Sequence, residues 1–305
     1  MASPRKSLGI IVLALLAAAV LAACGGTDEE TVDRYSGLVV SSEFVPGLNR
    51  FPFGLVSRDG EFLEDATVTV RFFSLGQYQR SFHVEASAAW RTIQGTTPHE
   101  HPDGEVHLHL DFRGLYVVDD VELAEAGIWL AEFDVVAPDG TRPIIEEAAF
   151  EVRPGPSAPG VGEPVPATMN LTIHEAPFEQ LSTRRVEGDE LHNVSVAQAL
   201  DAGEPFVVFF ASPQFCVSAM CGPVTDTMEQ AQAQLGGAVV FIHIEPWDLV
   251  AARERGELVA APVVREWRLL SEPWTFVVDG DGLVAARFEG LVTVDEILAA
   301  LEALA

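Results

Sequence analysis

The chain has 305 residues, a formal net charge of −28 and 48% apolar residues. The apolar content excludes general disorder, and the length suits two ordinary domains. The acidic balance excludes nucleic acid as a partner, because a strongly negative surface repels a phosphate backbone.

Residues 1–23 have the features of a secretory signal peptide, since two basic residues precede an apolar run from Leu8 to Ala23. This run is short for a membrane span, which favours a cleaved leader over an anchor helix that happens to end in cysteine. It ends in Leu21-Ala22-Ala23-Cys24-Gly25-Gly26, which resembles the lipobox of bacterial lipoproteins. The resemblance implies cleavage before Cys24, acylation of that residue, and an extracytoplasmic protein that is lipid-anchored to the cell membrane.

Residues 24–35 are predicted to be a flexible tether, and residues 36–153 a β domain. Within the latter, short apolar or alternating segments are separated by turn signals such as Asp59-Gly60 and Asp139-Gly140, which predicts an all-β, immunoglobulin-like sandwich. The predicted strands are Leu38–Phe44, Phe51–Ser57, Ala66–Leu75, Leu115–Leu123, Ile128–Val136 and Ala148–Val152. The segment Gly127-Ile128-Trp129 resembles the immunoglobulin-like domains found in bacterial envelope lipoproteins and in copper-resistance or cytochrome-oxidase accessory proteins. This resemblance implies a fold more than an activity.

Half of the eight histidines fall within eleven residues of the β domain, at His99, His101, His107 and His109. Residues two apart on a strand point to one face, and Asp103-Gly104 favours a hairpin between the two pairs. Such a hairpin would bring four imidazoles together as a copper or zinc site. The alternative is a solvated polar hairpin that binds no ion.

Residues 154–170 are rich in Pro and Gly and are predicted to be an interdomain linker. From residue 171 to residue 305 the order of predicted elements is that of an α/β domain. These elements are a helix from Ser195 to Ala202 stopped by Gly203, strand Pro205–Ala211, helix Gly222–Leu235, strand Ala238–Ile244, a helical segment Leu249–Leu270 broken at Pro262, a hairpin of Trp274–Val278 and Leu283–Phe288, and helix Val294–Leu304.

The cysteines of this domain lie in the loop Ser212–Pro223, between an apolar strand and a helix, and Glu272-Pro273-Trp274 follows much later. This order of features, with the Asp279-Gly280-Asp281-Gly282 turn, resembles the thioredoxin superfamily over residues 171–305. The resemblance implies a thioredoxin-like fold in which Pro273 is a cis-proline packed against Cys216 and Cys221. It also implies a redox role for these three residues.

The cysteine spacing departs from that family, because four residues rather than two separate Cys216 from Cys221. If both were helical, their Cα atoms would lie about 8 Å apart, beyond the range of a disulfide, so Cys216 is expected in a non-helical loop. Which thiol attacks stays open. The start of a helix favours Cys221, because the helix dipole promotes ionisation, whereas distance from the preceding strand favours Cys216.

The sequence therefore predicts membrane-tethered thiol–disulfide exchange on exported proteins, with protein thiols or disulfides as partners and no required cofactor. One alternative is a non-enzymatic copper-binding or copper-delivery module that uses the histidine cluster, with a structural or metal-binding cysteine pair. Another is an inert disulfide in an interaction domain. The copper chaperones of the Sco family also carry two cysteines in this loop, but they have a histidine where this chain has none near Pro273, and His243 is expected to be a core residue.

Overall fold

The computed structural model describes residues 33–76, 79–93, 99–100, 106–107, 113–184, 190–216, 218 and 220–304. The predicted leader, Cys24 and most of the tether lie outside these residues. In the described part of the chain, no helix is long and apolar enough to cross a membrane.

The N-terminal part of the chain is mostly β. Its strands are β1 Arg34–Val39, β2 Gly47–Ser57, β3 Thr67–Leu75, β4 Arg80–Thr92, β5 His99–Glu100, β6 Val106–His107, β7 Gly114–Leu123, β8 Gly127–Val136, β9 Ile144–Glu146 and β10 Ala148–Val152. The main sheet has eight strands in the order β10-β8-β3-β4-β7-β2-β1-β9, in which β1 and β9 are parallel and the other neighbours antiparallel. Strands β5 and β6 form a separate ladder. The prediction that this part is built mainly of β-strands is confirmed.

Strand β4 was not predicted, although it joins the two halves of this sheet. Its first part pairs with β3 and its last residues, Ala89 to Thr92, pair with β7. Its core-facing positions include Ala86 and Ala88, which are small, so the alternation of large apolar and polar residues that predicts a strand is weak here. The extended conformation of β4 is therefore stabilised by its pairing with β3 and β7 rather than indicated by its local sequence.

Aromatic side chains fill the core of the β part. Phe51, Phe53 and Tyr116 are fully buried, and the rings of Phe53 and Tyr116 stack with centroids 5.4 Å apart. The Tyr116 hydroxyl donates to the Leu63 carbonyl and accepts from the Ala66 N–H, both at 2.9 Å. This buried phenol thus fixes the segment that leads into β3 without leaving its polar atom unpaired.

The C-terminal part is built from α1 Val196–Ala202, β11 Phe206–Phe210, α2 Cys221–Leu235, β12 Val240–Ile244, α3 Leu249–Arg255, α4 Pro262–Glu266, β13 Trp274–Val278, β14 Val284–Glu289 and α5 Val294–Glu302. The four strands form a sheet in the order β12-β11-β13-β14, in which β11 is parallel to β12 and antiparallel to β13. Every residue of β11 and β13 is buried, which explains why these strands are almost entirely apolar. The predicted α/β order is confirmed.

The ends of these helices follow local sequence signals. Ser195 caps α1 in a capping box with Gln198, and Gly203 ends the helix with a φ of 69°, as predicted. The helical segment predicted over residues 249–270, with a break at Pro262, is wrong for residues 256–261 and 267–270, which are not helical. Gly256 ends α3 with a φ of 65°, and Pro262 begins α4 because its missing N–H costs nothing in the first turn.

Arg34–Ala305 form one compact unit, so the β part and the α/β part pack together. Ile93 and Val117 of the β part share a hydrophobic cluster with Phe288 and Leu291 of the α/β part. The predicted linker, residues 154–170, also forms hydrogen bonds with the last hairpin. A shared core of this kind holds the two parts in a fixed relation.

A buried carboxylate reinforces this junction. Glu289, at the end of β14, is 8% exposed and accepts hydrogen bonds from the backbone N–H groups of Ser42 at 2.8 Å and Glu43 at 2.9 Å. The Ser41 hydroxyl donates to the same carboxylate at 2.7 Å, and the Ser271 hydroxyl also donates to it. Glu289 therefore links the segment after β1 to the segment that precedes Pro273.

Ion pairs also cross the same junction. Arg287 lies 2.7 Å from the Glu43 carboxylate, Arg50 lies 2.6 Å from that of Glu296, and Arg91 pairs with the same Glu296 carboxylate. Burial opposes ionisation of Glu43, but hydrogen bonds from Ser157 and the charge of Arg287 hold its pKa below the ordinary value. These charges are paired and hydrogen-bonded, as groups removed from water must be.

Candidate functional site

The two cysteines lie where β11 gives way to α2. Cys216 is in the non-helical loop, as expected, and Cys221 is the first residue of α2, one residue before the predicted start of the helix. Pro223 fits in the first turn because the N–H groups there have no partner within the helix. The helix N-terminus therefore faces the loop that carries Cys216.

The thiols are free and close together in this structure. The backbone N–H of Cys221 donates to the Cys216 sulfur at 3.3 Å, and the Ser218 hydroxyl lies 3.4 Å from the same sulfur. The two sulfurs and a carboxylate oxygen of Glu272 all lie within 4.8 Å of one another. The loop thus surrounds Cys216 with hydrogen-bond donors.

The two thiols differ in ionisation. The pKa of Cys216 is lowered from 9.0 to about 6, chiefly by a hydrogen bond from the Cys221 thiol. The Ser218 hydroxyl and the backbone N–H groups of Ser218 and Cys221 lower it further, whereas burial raises it by less than these hydrogen bonds lower it. Cys221 is 0% exposed, and burial together with the adjacent Cys216 raises its pKa well above the ordinary value. The arrangement supplies a thiolate at half-buried Cys216 and a protonated thiol at Cys221 near neutral pH.

This difference predicts the pH dependence of cysteine alkylation. In the reduced chain, the rate of Cys216 modification by iodoacetamide should rise with pH around a midpoint near 6, because only the thiolate reacts. Peptide mass spectrometry at each pH measures it. Ser218→Ala should raise the midpoint by removing a donor to the thiolate. A midpoint near 9.0 in the unaltered chain would contradict the assignment.

Pro273 lies beside the cysteine loop, and the Glu272–Pro273 peptide bond is cis, as the resemblance implies. The Ser218 hydroxyl lies 3.2 Å from the Glu272 carbonyl as well as near the Cys216 sulfur, and it can donate its one hydrogen to either of them. The Gly290 N–H donates to the Pro273 carbonyl at 2.9 Å. Gly290 has a φ of 75°, and a side chain there would approach the Val40 carbonyl to 2.8 Å. The proline is thus held between the cysteine loop, the end of β14 and the β part.

Two grooves flank the cysteine loop, and Ser218 and Glu272 line both. One, of about 320 Å³, has a wall formed by residues 38–42 of the β part. The other, of about 490 Å³, is lined by apolar side chains that include Trp247 and Leu270. The contribution of the β part to this site was not predicted, because no local pattern in residues 38–42 indicates a neighbour so distant in sequence.

A buried carboxyl group supports the start of the cysteine loop. Glu245, at the end of β12, accepts from the backbone N–H and the hydroxyl of Thr183, both at 2.6 Å, and the Gln214 N–H donates to the Thr183 oxygen at 3.2 Å. Burial raises the pKa of Glu245 to about 7 despite these hydrogen bonds. Sequence reasoning missed Glu245, because Thr183 and Gln214 are far from it in the chain.

His243 is a buried core residue, as predicted, with 2% of its surface exposed. Its Nε2 lies 2.8 Å from the Ala211 carbonyl and therefore donates, so its Nδ1 accepts from Nε2 of His192 at 2.9 Å. Both ring nitrogens are thus engaged in structural hydrogen bonds just before the cysteine loop.

The histidine cluster is described only in part. The backbones of His99–Glu100 and Val106–His107 pair as antiparallel strands, with His99 opposite His107. His101 and His109 lie outside the described residues. The register is that of a hairpin, while metal binding by the cluster stays a prediction.

Comparison with known proteins bears on the C-terminal part. Residues 193–305 match the family model of the thioredoxin-like domain. No curated protein matches the chain significantly. The matched residues include α1, both cysteines, the cis-proline and the whole four-stranded sheet. The C-terminal part of this chain is a thioredoxin-like domain.

Proposed function

We propose that this chain catalyses thiol–disulfide exchange on exported proteins through Cys216 and Cys221. The observation that carries the proposal is the 3.3 Å hydrogen bond from the first N–H of α2 to the Cys216 sulfur, beside the cis-proline Pro273. A donor fixed at the positive end of a 15-residue helix stabilises a thiolate, which is the nucleophile of disulfide exchange.

The exposure and ionisation of the two sulfurs support different roles for them. The Cys216 thiolate attacks one sulfur of a substrate disulfide, the substrate S–S bond breaks, and the departing sulfur takes up a proton. Cys221 then loses its proton and attacks the Cys216 sulfur, which releases the second substrate thiol and leaves a Cys216–Cys221 disulfide. The substrate gains two electrons and the chain loses them, and the reverse sequence oxidises a substrate.

The surroundings of Cys216 suit a polypeptide substrate. The grooves on either side of Ser218 and Glu272 are largely apolar and leave room for chain segments that flank a substrate cysteine. Glu272, the residue before Pro273, lines both grooves. The β part, proposed to be immunoglobulin-like, would limit which segments can approach by supplying residues 38–42 as a wall.

We also propose that the exchange occurs outside the cytoplasm, on a chain tethered through a lipid on Cys24. The support is the apolar leader and the Ala-Ala-Cys-Gly sequence at its end. An exported compartment is also where protein disulfides persist and need exchange. The partners are then exported proteins with thiols or disulfides, and the membrane is reached through the acyl chains.

The reduction potential of the Cys216–Cys221 pair tests this function. We expect a value between about −120 and −270 mV, the range of exchange enzymes, because the thiolate at Cys216 stabilises the reduced state. The potential is measured by equilibrating a Cys24→Ser chain in graded glutathione or dithiothreitol buffers and alkylating the remaining thiols. A value below about −300 mV, where structural disulfides lie, would contradict exchange and indicate an inert bridge.

A second candidate is a copper-binding or copper-delivery module that uses the histidine cluster. The observation that favours it is the register of β5 and β6, which sets His99 opposite His107. Imidazole nitrogens are common ligands of copper and zinc, so histidines at paired backbone positions favour a metal site here. In this reading the cysteine pair would be structural or a second metal site.

A further inference from the structure

Three side chains with metal-binding donors converge beside Pro273. Cys216 comes from the loop after β11, Cys221 from the start of α2, and Glu272 from the residue before the cis-proline, and their donor atoms lie within 4.8 Å of one another. Within the described residues, this group combines two thiols with a carboxylate. We propose that, in the reduced chain, these three side chains bind a Zn²⁺ ion.

The distances suit zinc. Zinc holds sulfur at about 2.3 Å and carboxylate oxygen at about 2.0–2.2 Å in a tetrahedral arrangement, so two bound sulfurs lie about 3.8 Å apart. The donor atoms here are separated by no more than 4.8 Å, so each need move by only about an ångström. Cys216 lies outside the helix, so its side chain can make this adjustment without disturbing α2.

The donor set selects among metals. Two thiolates with a carboxylate match the mixed sulfur and oxygen ligands of zinc, whereas calcium and magnesium prefer oxygen alone, and copper(I) prefers sulfur. Three protein ligands leave a fourth position for water or another ligand, as in zinc sites that are not purely structural. The grooves lined by Ser218 and Glu272 offer space for that ligand.

Zinc binding and disulfide exchange use the same sulfurs and therefore exclude each other. Binding converts two thiols into zinc-bound thiolates and releases their protons, with no change in oxidation state. Oxidation to the Cys216–Cys221 disulfide removes both sulfur ligands. The ion would thus hold the reduced pair inactive until a chelator or a competing ligand removes it.

The test uses the full chain with Cys24→Ser, so that Cys216 and Cys221 are the only thiols. We expect the reduced chain to bind one Zn²⁺ in competition with a chromophoric chelator, and Co²⁺ in its place to give a thiolate-to-metal charge-transfer band. Oxidation of the pair should abolish the band. Glu272→Gln should weaken Zn²⁺ binding by about tenfold or more, since even indirect partners of a metal ligand contribute this much.

Glu257→Gln is the matched control, because this exposed carboxylate pairs with Arg255 away from the site. It should bind Zn²⁺ as the unaltered chain does. Metal held only by the histidine cluster would give no thiolate band, and that result would overturn the proposal, as would unchanged affinity in Glu272→Gln. Thiol–disulfide exchange can be assayed separately after a chelator has removed all zinc. Loss of exchange in that assay would count against the proposed function but not against the zinc site.

Discussion

Replacing Cys216 with serine is expected to abolish thiol–disulfide exchange, with a fall in rate on the order of 10⁴-fold or more, as when an enzyme loses its nucleophile. Cys216 is the half-buried sulfur with a pKa lowered to about 6, whereas the Cys221 sulfur is fully buried and protonated. Cys221 alone therefore cannot start the reaction. Reduction of a disulfide-bonded test protein by the pre-reduced chain measures the rate.

The Cys221→Ser variant should behave differently from Cys216→Ser. It keeps the attacking sulfur and loses the resolving one, so it should accumulate a mixed disulfide with the test protein that is visible on a non-reducing gel. The Cys216→Ser variant should form no such adduct. Thermal unfolding of both variants controls for misfolding. Adduct formation through Cys221 in the Cys216→Ser variant would reverse the assignment of roles.

Replacing Glu289 with alanine should lower the free energy of unfolding by about 4 kcal/mol. The loss leaves the N–H groups of Ser42 and Glu43 without their acceptor in a buried junction, and hydrogen bonds to a charged group contribute about 1.5–3 kcal/mol each. Because these N–H groups belong to the β part, the variant should also weaken its attachment to the thioredoxin-like domain. Urea unfolding followed by tryptophan fluorescence measures the change.

Two variants control this experiment. Glu289→Gln keeps an acceptor for part of the network and should lose less stability than Glu289→Ala. Glu151→Ala removes an exposed carboxylate from β10 and should change the free energy of unfolding by less than about 0.5 kcal/mol. If Glu289→Ala also stayed within that limit, Glu289 would not be what joins the two parts.

Much of the thioredoxin-like domain could be predicted from the sequence, because its signals are local. The apolar run of β11, the Ser195 cap with Gly203, and the turn at Asp279 each correspond to an element in the structure. Strand β4 could not be predicted in this way, since small core-facing residues such as Ala86 and Ala88 weaken the alternation of large apolar and polar side chains. Its place is decided by pairing with β3 and β7.

The difference in ionisation between the two cysteines could not be predicted from the sequence, although both were predicted to be site residues. Position at the start of a helix favoured Cys221, but Cys221 is enclosed by the core, and burial outweighs the helix dipole there. Cys216 receives the donor at the start of α2 from outside the helix. The ionisation of each thiol therefore depends on its exposure to solvent and on the hydrogen-bond donors around its sulfur. Both are set by the packing of the loop against the core.

Signals that lie within a few residues of one another account for the strands and capped helices of the α/β part and for the loop that carries the cysteines. Contacts between residues far apart in the chain could be read only from the folded structure. It brings Glu272 to the two sulfurs, residues 38–42 to a groove beside them, and Glu289 to the segment after β1. Local conformation depends on neighbours in the chain, whereas burial, charge and hydrogen bonding at a site depend on neighbours in space.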